Sequence, residues 1–292
     1  MGYSSRYHVA SLAAVFLALT VGILIGVGLG DNVVGDAEDS LRNSLEGDIE
    51  DARAERDELR DELELERDFA ASAYPALVGD VLRGRRIGVI SLGGLSGSLE
   101  EDITDALDPT GADLVEVSVV ELPPDASALA SAVGRPFARA GGDEAKLEDL
   151  AERLGAQIVR GRGRALERAR TALFSRSSGE GGRLDGVVLT RASLGDQGPP
   201  DGGTTDSFSS GLVRGVTEAR GPSVSVEGTE APESFVGFFS RFDVATVDNI
   251  DGTAGKVAMV FALLGAEGDF GVKDTADSLL PELLVPARRR RE

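Results

Sequence analysis

The sequence predicts an α/β fold: a single N-terminal transmembrane helix, a coiled coil, then a Rossmann-like, mostly parallel sheet with helices on both faces. Three observations carry that prediction. Val9 to Gly30 carries no charge, residues 31–72 are acidic with apolar residues at helical spacing, and from residue 73 short β-rich runs alternate with helical patterns. The implied domains are 1–8, a short amino terminus; 9–30, the span; 31–72, the coil; 73–287, the α/β body; and 288–292, a basic tail.

The apolar run comes first. At 1.5 Å per residue it makes about 33 Å of helix, enough for a hydrocarbon core of roughly 30 Å. A secretory signal peptide has a shorter apolar core, so length favours a retained anchor over a cleaved leader. Arg6 precedes the run, while Asp31, Asp36, Glu38 and Asp39 follow it. The positive-inside rule then keeps the amino terminus in the cytoplasm and sends the rest outside, as a single-pass cell-membrane protein. Gly22, Gly26 and Gly30 recur every four residues, a small-xxx-small face on which two helices can approach closely. Glycine is also simply common in membrane helices.

Residues 31–68 supply more than half of the net charge of −20. Within them Leu45, Ile49, Ala52, Leu59 and Leu63 follow the alternating spacing of coiled-coil a and d positions. Arg42 and Arg56 fall at a-type positions and Glu66 at a d-type position. A solvated single helix acting as a spacer is the simpler alternative. Continuity with the glycine face makes a parallel dimer or trimer the favoured assembly.

Tyr74-Pro75 is expected to break the helix. Arg86 to Leu92 then reads as a strand, Leu99 to Leu107 as a helix, Gly111 as a turn and Leu114 to Val120 as the next strand, a βαβ unit with parallel strands. Helices follow at Glu144 to Leu154 and Ala165 to Phe174, then a strand at Gly186 to Thr190. Thr204 to Ala219 reads as helix, Ser223 to Glu227 and Val244 to Val247 as strands, and Thr253 to Leu264 as an apolar helix. The sum is a five-stranded sheet. Residues 195–207 have the composition of a mobile loop.

Composition excludes several chemistries. With 50 acidic against 30 basic residues, nucleic acid is not an expected partner. There is no cysteine, one histidine (His8) and two methionines (Met1 and Met259), so thiolate and imidazole metal sites are not expected within one chain, and no cofactor is assigned. The body also lacks the run of alternating segments of roughly ten residues that an outer-membrane barrel uses.

The motifs fail in instructive ways. Gly93, Gly94 and Gly97 sit between a strand and a helix, the setting for a small ligand or anion at a helix amino terminus, but not at G-x-G-x-x-G spacing. They are weak crevice candidates against the plainer reading of turn glycines. In GTAGKV (252–257) Ile250 stands where a P-loop needs its first glycine, and Val257 where it needs serine or threonine. Ser96 is in no nucleophile elbow. Asp243, Asp248 and Asp251 flank the last strand and read as solvated acids, and Arg288 to Arg291 as a solvated tail. No catalytic constellation emerges, and a non-enzymatic protein is expected.

Two stretches are more specific. HVASLAAVFLALTVGILIG (8–26) and TVDNIDGTAGKVAMVFALLGAEGDFGVKDTADSLLPE (246–282) closely resemble the actinobacterial copper transporter family, as does the order of span, charged coil and α/β body. The resemblance implies a membrane-tethered envelope protein linked to copper transport or homeostasis. Related proteins have also been tied to cell separation together with a membrane partner. The expected partners are the lipid bilayer, further copies of the chain, and a membrane or cell-wall protein.

Overall fold

The computed structural model describes residues 5–193, 203–219 and 221–282, without the side chains of 5, 6, 29–40 and 43. The predicted basic tail, residues 195–202 of the predicted loop and the surroundings of Gly30 lie outside the described residues. The chain divides into two units, Met1–Arg67 and Asp68–Glu292.

Over its described residues the first unit is helix, the larger part of α1 (Ser5–Val78). Its stretch Tyr7–Gly28 is long and apolar enough to cross a membrane. There the Thr20 hydroxyl donates to the Phe16 carbonyl at 2.7 Å, so that hydroxyl is satisfied by its own helix. Further on, the seam residues Leu45, Ile49, Leu59 and Leu63 are all exposed.

The end of α1 belongs to the second unit and corrects one expectation: Pro75 does not break the helix, which continues to Val78. Proline's fixed φ suits a helix, and its lost hydrogen bond is outweighed here by burial of Tyr74 and Val78 in the body's core. The Tyr74 hydroxyl donates to the Ala106 carbonyl at 2.7 Å. The second unit begins at Asp68 and so also includes residues 68–72 of α1.

A sheet of seven strands follows, not five, in the order β3-β2-β1-β4-β5-β6-β7. In chain order the elements are β1 (Arg86–Leu92), α2 (Gly97–Leu107), β2 (Asp113–Val120), α3 (Ala126–Val133), α4 (Glu144–Arg160), α5 (Arg164–Leu173), β3 (Phe174–Gly179) and β4 (Gly186–Arg191). Then come α6 (Gly203–Glu218), β5 (Ser223–Val226), α7 (Val236–Phe239), β6 (Ala245–Val247), α8 (Thr253–Ala262) and β7 (Asp269–Phe270). The expected βαβ unit is present, with β1 and β2 parallel. The strands missed are β3, the antiparallel partner of β2, and the two-residue β7. Phe174, assigned to a helix end, opens β3 instead, and Gly203 opens α6 inside the stretch expected to be loop.

Side chains alternate across the sheet, as strands require. Ile90 and Leu92 of β1 face a core built with α3 to α6, while Ile87 and Val89 face one built with α2, α8 and the end of α1. On the first face α4 and α6 touch backbone to backbone. A Cβ on Gly155 would lie 2.2 Å from the Leu212 carbonyl oxygen, and one on Gly215 would lie 1.9 Å from that of Glu152.

From β1 the chain winds through α2 to β2 on one side, then returns to β4 on the other. That reversal opens a crevice beyond the carboxyl ends of β1 and β4, where sheets of this kind bind ligands.

Candidate functional site

A cleft of about 630 Å³ occupies that position. One wall is the turn from β1 into α2. Gly93 adopts φ +94, a left-handed conformation that suits glycine. The turn is tied down by the Ser91 hydroxyl, which donates to the Gly94 carbonyl at 2.7 Å. Gly94 lines the cleft, and Gly97 opens α2 behind the Ser96 cap, whose hydroxyl accepts from the Leu99 amide at 3.2 Å. Of the three crevice glycines Gly94 lines the cleft, while Gly93 and Gly97 lie in the turn and the helix start beside it.

The opposite wall comes from the ends of β4 and β5. Arg191 is held over the Phe238 ring, 4.4 Å from its centroid, and Phe235, at 5.1 Å. It donates through Nη2 to Asp206 at 3.0 Å, while its buried Nε has no partner among the described residues. At the end of β5 the Glu227 carboxylate accepts from Lys273 Nζ at 2.7 Å and from the Phe235 amide at 2.8 Å. Leu95, Leu99 and Phe235 supply apolar surface, and Asp102, Glu230 and Glu233 supply an acidic rim. An acid-rimmed apolar cleft suits a cationic or amphipathic ligand better than a phosphate.

Beneath this wall lies the carboxy-terminal stretch that carried the resemblance. Asp248 is fully buried, so the solvated reading fails for it: its carboxylate accepts from the amides of Val272 at 2.8 Å and Lys273 at 3.0 Å. A Cβ on Gly271 would lie 1.8 Å from Asp248 Oδ1, so that loop must be glycine to close on the acid. Asp243 is exposed in a left-handed conformation, and exposed Asp251 accepts from the Thr229 amide and hydroxyl. In GTAGKV the lysine is engaged elsewhere, with Lys256 Nζ 3.6 Å from Asp102 and 3.7 Å from Asp105 of α2. Gly255 is required because a Cβ there would lie 2.0 Å from the Asn249 carbonyl oxygen.

Sequence reasoning missed Arg191, Glu227 and Lys273. A signal was present for the first two: each is the polar residue that follows a short apolar strand, at the carboxyl end where doubly wound sheets place their sites.

On α1 the seam residues share one exposed face, and no Cβ contact lies within 4 Å at Gly22 or Gly26. On a straight helix Gly26 falls about 100° round from the line of Leu45 to Leu63.

The fold and cleft define a class: a doubly wound α/β protein bearing, among the described residues, one helix long and apolar enough to cross a membrane. Its particular family follows from a direct match. The family model described as "Copper transport outer membrane protein, MctB" covers residues 3–281, and the chain belongs to that family. No curated protein matches it.

Proposed function

We propose that this protein is a membrane-anchored, non-enzymatic component of copper homeostasis in the cell envelope, its amino terminus cytoplasmic and its α/β body outside. The family match over residues 3–281 carries the copper assignment. The charge flanks of the apolar stretch support the orientation. Since the chain holds no cysteine, one histidine and two methionines, its contribution to copper handling runs through assembly with other chains and not through a soft site of its own.

One observation favours a second reading, an envelope scaffold that holds a membrane or wall partner, for example during cell separation. The cleft is apolar inside and acidic at the rim, the chemistry of a peptide-docking surface. A deletion strain separates the two. Copper hypersensitivity with normal separation supports homeostasis and removes the scaffold; parental copper tolerance with chains of unseparated cells does the reverse. For topology, a reporter active only outside the cytoplasm, fused after Gly79, is expected to be active, and inactivity reverses the orientation.

A further inference from the structure

The charges beside the exposed seam of α1 select its partner. With Leu45, Ala52 and Leu59 at d and Ile49 and Leu63 at a, the g positions are Asp48, Glu55 and Glu62, and the e positions that follow them are Arg53, Arg60 and Arg67. From Asp48 onward every g residue is acidic and every e residue is arginine, inside the most acidic segment of the chain. None of the six is engaged within its own helix: among the described residues the ion pair in this stretch is Arg56–Asp57.

In a parallel, in-register coiled coil each g residue meets the e residue of the next heptad, five positions on, in the other strand. Asp48 then faces Arg53 of the second copy, Glu55 faces Arg60 and Glu62 faces Arg67, and two-fold symmetry repeats all three. An antiparallel pair sets g against g and e against e, acid on acid and arginine on arginine. Ile49 at a, with leucine at two d positions, favours two strands, and the polar Arg56 at a penalises shifted registers. We infer that residues 45–67 pair with a second copy of this chain as a parallel, in-register, two-stranded coiled coil whose orientation is set by these charges. The inference is independent of the copper assignment.

Because the chain has no cysteine, full-length Leu45→Cys and Leu63→Cys variants each carry one thiol. In membranes under mild oxidation, each is expected to give a disulfide-linked dimer. In the Leu45→Cys background, Glu55→Arg or Arg60→Glu alone turns two attractions into two repulsions and is expected to weaken dimer formation about tenfold at low expression. The combined Glu55→Arg/Arg60→Glu chain is expected to recover it. Stepwise photobleaching of tagged chains should count two copies. Monomers at both cysteines, a charge swap no better than its single changes, three or more bleaching steps, cross-links formed only between the 45 and 63 thiols when the two variants are expressed together, or a cross-link to a different protein would each overturn the inference.

Discussion

The two units handle charge and apolar surface in opposite ways. In the body, buried charge is answered within the chain: Asp248 by two backbone amides, Glu227 by Lys273 and the Phe235 amide. Along residues 45–67 the apolar side chains lie open, and the acids at 48, 55 and 62 and the arginines at 53, 60 and 67 are not paired within their own helix. The body's charges are answered within the chain, whereas the helix leaves its apolar seam and flanking charges open, the pattern on which the inferred pairing rests. The contrast is testable by substitutions whose effects on the body should shrink in order.

The largest effect is expected at the α4–α6 contact. Gly215→Ala places a methyl against the Glu152 carbonyl and forces the helices apart, costing about 3 kcal/mol and lowering Tm by about 10 °C in calorimetry. Next, Lys273→Met leaves Glu227 without its cation. Discounted for partial exposure, the loss is about 2 kcal/mol, measured by urea unfolding. A smaller loss when Glu227→Gln is added as well would show that the charge left on Glu227, not the packing of Lys273, matters.

Tyr74→Phe removes a buried hydrogen bond and is expected to cost about 1 kcal/mol. Its pH dependence gives a sharper reading. Burial raises the Tyr74 phenol above its ordinary range. The folded state therefore holds that proton more tightly than the unfolded state does, so the contribution is complete below the usual tyrosine pKa of about 10 and is lost as pH rises beyond it. Wild type should lose stability more steeply than Tyr74→Phe above that pH. The smallest effect closes the comparison: Leu59→Ser should leave the body's Tm unchanged, within about 0.5 kcal/mol, while abolishing pairing of α1. A matching fall in body stability would break the division between the units.

The same division governs what the sequence made legible. RIGVISL and DLVEVSVV were readable as strands because apolar, β-branched residues cluster there, and β4 to β6 for the same reason. FSRSSG was not: its polar side chains carry no core pattern, and only pairing with β2 makes it a strand. Helix α3, made of alanine, serine, leucine and valine, lacks the charged face that marks an amphipathic helix. Pro75 misled because tertiary burial of its neighbours outweighs a local preference. At the site, the glycine turn could be placed by its position after β1, whereas the joining of Glu227 to Lys273 depends on how a loop beyond β7 folds back, and no local spacing encodes that.

The missed strand β3 has a consequence of its own. A parallel sheet left open at its edge is a template for addition of a foreign strand, a route to clumping. Here β3 covers the β2 edge with serines and one arginine, Arg176, while the far edge narrows to two residues in β7. For a chain tethered to a membrane, where neighbouring bodies would meet often, such poor edges leave little for one body to add to another.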